Sequence, residues 1–299
     1  FRGEDLRPWY QENEGKWLIV LPNKWTAATF GSGLDEDRAW QALQSRHPVL
    51  AAHLAQFAEP ARRRQDKGDY WWELRACDYY DAFGAPKIFW PDIGKFPRFS
   101  WDTSGTYVGN TGYIAVTDAP WLLGFLSSRC AWFIISKTSI GFGERAGQPR
   151  FRLIDQYLRP LPIPDAPAAD RDAIAALALA ITEQARARYT LDRQTRHRIL
   201  TDLGVSGAAL NQKLTAWWEL DFAGFLAQVR VAFKREIPVR LRDDWEEWLV
   251  PRRSEHERRT AEIVRSETQL NERVYALFDL SPAEVRIIEE STKYRYGEV

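Results

Sequence analysis

Residues 71–102, WWELRACDYYDAFGAPKIFWPDIGKFPRFSWD, constrain this chain more than any other stretch. Their aromatics, prolines and charges follow neither the helical period nor a clean alternation. Two turn signals, Gly84-Ala85-Pro86 and Asp92-Ile93-Gly94, bracket the run Lys87-Ile88-Phe89-Trp90. A short, apolar, β-prone run between turns predicts a buried strand. Pro91 ends it, because proline cannot donate to a ladder.

The rest of the chain is read outward from that strand. Residues 16–21, KWLIVL, form a continuous apolar run of strand length, stopped by Pro22-Asn23. Asp35 or Asp37 can cap a helix that continues to Ser45. After Pro48, the spacing of Leu50, Leu54 and Phe57 marks one helical face. Arg62-Arg63-Arg64 then reads as a solvated helix end. Residues 99–113, rich in Thr, Gly, Tyr and Trp, predict a hairpin, and residues 113–117 alternate as a strand. Pro120 opens a helix with Leu122, Phe125, Leu126 and Phe133 on one face. Gly141, Gly143 and Gly147 predict a flexible loop that carries Arg145 and Arg150.

Residues 165–170, DAPAAD, read as a linker, and the pattern beyond them is helical. Ile174, Leu177 and Ile181 form one stripe. Asp221 caps a helix with Phe222, Phe225, Leu226, Val229 and Phe233 on its face. Trp245, Trp248 and Leu249 repeat the pattern. Over residues 258–277, Ile263, Leu270, Val274 and Leu277 make a seam that could pair with another helix. Ser281-Pro282-Ala283-Glu284 is a capping box with proline at the first helical position. The expected fold class is α+β: a mixed β-sheet domain over residues 1–164, then an α-helical domain over residues 171–299.

Composition bounds the function. The 41 basic and 41 acidic residues cancel, which argues mildly against nucleic acid. Local charge softens that objection: residues 137–159 hold five basic residues against Glu144 and Asp155. A neutral total can still carry one basic face. Cys77 and Cys130 are too few for a disulfide scaffold or a zinc site and suit a reducing, cytoplasmic compartment. The histidines His47, His53, His197 and His256 lack metal-ligand spacing. No run of eighteen apolar residues exists, so no membrane contact is expected. The opening FRGEDLRPWY reads as mid-protein sequence, so a longer polypeptide is expected upstream.

Several chemical signatures are missing. No Gly-x-Gly follows a strand as a nucleotide or S-adenosylmethionine fold needs, and the glycine loop at 141–147 lacks the Lys-Ser/Thr ending of a phosphate loop. Pro91-Asp92 invites comparison with metal nucleases, which place Asp/Glu-x-Lys downstream. The one such triplet, Glu14-Gly15-Lys16, lies upstream instead. No catalytic, cofactor-binding or metal-binding residue is therefore assigned. Most of the fourteen tryptophans read as core. Trp25 is an exception, in the loop-like Pro22-Asn23-Lys24-Trp25-Thr26. Trp217-Trp218 reads as a helix-packing anchor.

Trp71-Trp72 followed by Glu73-Leu74-Arg75, the Lys87-Ile88 strand, Pro91-Asp92-Ile93 and Pro97-Arg98-Phe99 resemble the TaqI-like C-terminal specificity domain. This is the target-recognition part of class I adenine DNA methyltransferases and of fused restriction-modification enzymes. Asn110-Thr111-Gly112-Tyr113, Trp121-Leu122-Leu123-Gly124, Pro160-Leu161-Pro162-Ile163-Pro164 and, upstream, residues 15–20 are similar to the same family. The resemblance covers roughly the first 164 residues, and the remainder is similar to the helical tail of some members.

It implies a module that reads a double-stranded DNA sequence, with Pro91-Asp92-Ile93 as scaffold and Asp92 bonding a turn backbone. The Asn-Pro-Pro-Tyr or Asp-Pro-Pro-Trp signature that holds a flipped adenine in such enzymes is not in this chain. The resemblance thus implies an upstream methyltransferase domain in the same polypeptide, using S-adenosylmethionine, with or without an endonuclease activity. It implies no cofactor for the chain itself.

The candidate DNA-binding residues are Lys24, Trp25, Lys137, Ser139, Arg145, Arg150 and Arg152. Glycines let the backbone approach phosphates, and arginines reach guanine edges or the backbone. The competing reading is a protein-interaction module without DNA reading, whose helical part mediates self-association. An independent hydrolase ranks last, for want of a Ser-His-Asp or metal pattern.

Overall fold

Contacts divide the chain elsewhere than at 165–170. Residues 1–12, 87–102 and 108–299 form one unit, and residues 13–86 with 103–107 form another. The computed structural model describes residues 1–12, 15–145, 147–205 and 207–298. Glu14 of the Glu-Gly-Lys triplet and Ala146 of the glycine stretch lie outside the described residues. The architecture is α+β, with two small antiparallel sheets and a long-helical region.

The smaller unit is built on α1 (Trp25–Phe30), α2 (Glu36–Arg46), α3 (Pro48–Ala55) and α4 (Ala58–Arg62). Asp35 caps α2 by accepting from the Arg38 amide at 2.8 Å. No side chain of the preceding residue caps α1; a distant carboxylate does so instead. Glu73 is fully buried and accepts from the amides of Thr26 (2.7 Å), Lys24 (3.2 Å) and Asp69 (3.1 Å). The aromatic pair beside it makes the core: Trp71 and Trp72 are buried, and Trp40 lies 4.9 and 5.2 Å from their rings.

Arg62 and Arg64 are anchored rather than solvated. Arg62 pairs with Glu36 at 3.0 Å, and Arg64 donates to the Trp71 and Glu73 carbonyls. Arg63 alone of the three is strongly exposed. Residues 16–21 join no strand among the described residues, and Trp17, Leu18 and Ile19 are exposed. An apolar run reports strand propensity; it does not supply a neighbouring edge to pair with.

In the larger unit, β1 (Lys87–Pro91) is buried throughout, as the pattern predicts. β2 (Ile93–Gly94) follows, then β3 (Ser100–Asp102) and β4 (Gly112–Val116). Residues 99–113 do not form the expected hairpin; β3 and β4, the latter close to the strand read at 113–117, flank β1 in the order β3-β1-β4. A buried ion pair locks the register, with Lys87 Nζ 2.7 Å from Asp102 Oδ2 on directly opposed residues. Asp92 works through its backbone, its N–H donating to the Thr111 carbonyl and its carbonyl accepting from the Leu153 amide.

The helix foreseen from Pro120 is two helices, α5 (Trp121–Ser127) and α6 (Arg129–Thr138). Ser128 breaks them because its hydroxyl caps α6, accepting from the Ala131 amide. Then come β5 (Gly141–Arg145), β6 (Gln148–Arg152), α7 (Asp155–Leu158) and the 31-residue α8 (Ala168–Arg198). Ala166 is buried and α8 begins at Ala168, so four of the six residues read as a linker are packed or helical.

A π-helical turn at Ile199–Leu203 leads to α9 (Gln212–Thr215) and α10 (Phe222–Phe233), capped by Asp221 as foreseen. α11 (Arg242–Leu277) runs 36 residues as one helix through Pro251. The missing proline N–H leaves the Glu247 carbonyl without its intrahelical donor. α12 (Pro282–Ser291) carries the predicted capping box. The Ile263, Leu270 and Val274 seam is fully buried in one core with Ile174, Ala178 and Ile181 of α8. Its partner helix is therefore in the same chain, and self-association would need another surface.

Candidate nucleic-acid interface

The glycine-rich stretch predicted as a flexible loop is a β-hairpin. β5 pairs antiparallel with β6, with Gly141 opposite Phe151, Glu144 opposite Pro149 and Arg145 opposite Gln148. Between Gly141 and Glu144 the register slips, and Gly143 takes φ +69°. That is the left-handed region where a side chain is strained, so a glycine bulge fits there. Gly147, at φ +71°, serves the turn. β6 also pairs with β2, which leaves β5 as an edge, exposed at all five residues.

Alternation along β6 sorts its side chains. Phe151 turns inward, edge-on to buried Trp132 with ring centres 5.8 Å apart. Arg150 and Arg152 therefore share the opposite face. Their guanidinium carbons lie 5.5 and 5.4 Å from the centre of the Phe142 ring on β5. Phe142 is 42% exposed. A Cβ added to Gly143 would sit 3.7 Å from an Arg150 terminal nitrogen, so this guanidinium spans Phe142 and the bulge. Arg150 Nε is buried without a hydrogen-bond partner among the described residues.

Arg145 is exposed near the hairpin tip. Lys137 is exposed in the last turn of α6, its ammonium 5.5 Å from the Phe133 ring centre. Ser139 follows as the helix end, its hydroxyl buried and unpartnered among the described residues. Asp155, the acid nearest Arg152 in sequence, pairs instead with Arg159 at 2.7 Å. Thus the hairpin and the α6 end present Lys137, Arg145, Arg150 and Arg152 against Glu144.

Lys24 and Trp25 belong to the smaller unit. Lys24 is exposed, with backbone φ +67° at the start of α1, where its amide turns to Glu73. Trp25 is half-buried, edge-on to Phe30 at 5.6 Å and 6.0 Å from His47. It packs α1 against α2 rather than standing free in a loop. A hollow of about 590 Å³ in the same unit is lined by Ile19, Pro48, Val49, Leu50, His47 and His53.

Sequence reasoning missed two buried polar clusters in the larger unit. In one, Glu267 accepts from the Trp9 indole and the Gly297 amide, while Arg188 donates to the Gly297 carbonyl. Arg129 pairs with Glu289, donates to the Tyr294 carbonyl and lies 3.7 Å from the centre of the Tyr296 ring. Burial raises the Glu267 pKa, against the opposing pull of its donors.

In the other, His256 stacks on Trp218 at 4.3 Å, with Nε2 3.7 Å from Asp192 Oδ2. Burial, with Arg188 and Arg196 nearby, pushes the imidazole down to about 4. Burial pushes the Asp192 carboxyl up to about 6, against the opposing pull of Arg196 and Arg188. Lone charged residues on helices gave no signal of either cluster. Cys130 is buried with its thiol pushed up to about 11, which removes it as a nucleophile. Among the described residues no three His, Cys, Asp or Glu side chains are placed to hold a metal.

A family model described as a domain of unknown function, DUF8810, matches residues 167–274, less than half of the chain. The matched span runs from the start of α8 through most of α11 and contains the Asp192–His256 cluster. No curated protein matches the chain.

Proposed function

We propose that this chain is a sequence-specific double-stranded DNA recognition module, and that it serves a site-specific adenine methyltransferase of restriction-modification or defence type. The observation that supports it is the β5–β6 hairpin: joined to β2 only at Phe151 and Arg152, it carries three arginines, its edge strand β5 is exposed, and Lys137 lies just before its base. A two-stranded ribbon fits the major groove, and arginine there recognises guanine. In this reading the methyl transfer from S-adenosylmethionine belongs to a domain outside these residues, and the module presents the adenine. The resemblance of residues 1–164 to TaqI-like specificity domains is the ground for naming that reaction. The test is fluorescence anisotropy of labelled duplexes across a salt series. Binding whose logarithm falls linearly with log salt is expected. Lys137→Ala should weaken binding to all duplexes and lower the slope by about one. Salt-independent affinity, or none, would sink the proposal.

A second reading rests on the smaller unit. Trp17 is 97% and Val49 84% exposed, and Ile19 lines the apolar hollow. Such a surface suits a protein contact, including a second copy of this chain. Sedimentation equilibrium distinguishes it: a concentration-dependent dimer abolished by Trp17→Ser, in a chain that ignores DNA, would favour this reading.

A further inference from the structure

We propose that Phe142 is a positioning residue that fixes Arg150 and Arg152 as a preformed base-reading pair and leaves Arg145 to contact phosphate. The inference rests on the DNA-reading function above. Arginine normally loses several rotamers on binding, and a guanidinium already held against a ring loses fewer. Both guanidiniums lie against one ring, from the same face of β6, at 5.5 and 5.4 Å. Phe142 is exposed on an edge strand, where burial alone gives no reason for a large apolar side chain. The Arg150 fork also reaches the glycine bulge next to it, where a Cβ on Gly143 would stand 3.7 Å away at ordinary contact distance. Arg150 Nε is buried, and its two terminal nitrogens remain for a bidentate partner such as guanine O6 and N7. Among the described residues Arg145 lies over no ring. It is exposed near the hairpin tip. An exposed charge of this kind suits a phosphate, which needs no fixed orientation.

The chain would be mixed with duplexes randomised over their central positions, and the bound fraction sequenced. The preferred duplex and its single-base variants would then be titrated across a salt series. Phe142→Leu should keep the salt slope while discrimination at one or two G·C positions falls about tenfold. Phe142→Trp should retain discrimination. Arg145→Ala should lower the slope by about one and leave discrimination intact. A DNA-free readout accompanies these. The Arg150 and Arg152 Nε–Hε resonances should be ring-shifted in the parent and move to the positions of exposed arginines in Phe142→Leu. Unshifted parental resonances, or discrimination unchanged in Phe142→Leu, would overturn the positioning role alone. No enrichment of any sequence by the parent chain would overturn the DNA-reading function and this inference with it.

Discussion

At the scale of single residues, two buried acids have opposite consequences. Glu73 satisfies three amides that end up inside the smaller unit. Glu73→Ala strands the Thr26 and Lys24 amides, the Asp69 amide keeping Asn23, and should cost about 3 kcal/mol in urea unfolding, more than truncating any exposed glutamate. Asp192 and His256 govern acid behaviour instead. The His256 pKa is lowered, so the unfolded chain binds more protons between about pH 6.5 and 4, and stability falls as pH falls through that window. The Asp192 pKa is raised to about 6, so the folded chain takes up its proton first, and this group's contribution rises as pH falls below 6. The two oppose each other. Asp192→Asn removes the compensating group, and its stability should fall more steeply between pH 6.5 and 4 than the parent's, by chemical denaturation at each pH.

At the scale of elements, whatever a local cap or a neighbouring turn decides was legible. Asp35, Asp221 and Ser281 start helices where the sequence places them, and β1 lies where its turn signals bracket it. What a distant partner decides was not. Residues 99–113 were read as a hairpin and 113–117 as a strand; the strand is β4, but adjacency in sequence hides that β1 lies between β3 and β4. β5 and β6 were read as loop because two glycines at positive φ interrupt the strand pattern. The candidate arginines were therefore grouped as neighbours in sequence, while Phe142, the ring that Arg150 and Arg152 share, was not singled out. Gly147→Val should strain the turn by about 1–2 kcal/mol and speed hydrogen exchange at the Arg152 amide, which donates to the Ile140 carbonyl. The core should be unaffected. The opposite holds at Gly124, where α5 comes close to α8 and α11. A Cβ there would meet Ile174 at 2.6 Å and Leu270 at 3.1 Å. Gly124→Ala should lower global stability by about 1–3 kcal/mol, read from the thermal midpoint.

At the scale of the whole molecule, the stretch most open to attack is residues 16–21, not residues 165–170. The first are irregular and expose Trp17, while the second hold buried Ala166 and the first turn of α8. Brief chymotrypsin treatment should cut after Trp17 or Leu18 before it cuts near Leu161, as mass mapping of the fragments would show. The larger unit takes residues from both sides of the smaller one, and this bears on how the chain matures on the ribosome. Glu267 needs Trp9, and Arg129, Arg188 and Glu267 all need residues 294–297. Those last residues are synthesised some 280 positions after Trp9. The smaller unit can close early, because its contacts span residues 13–107. The larger one cannot complete its buried polar set until residues 294–297 have left the exit tunnel. Until then its half-built core stays open to chaperones, so vectorial synthesis imposes an order of assembly that dilution from denaturant would not.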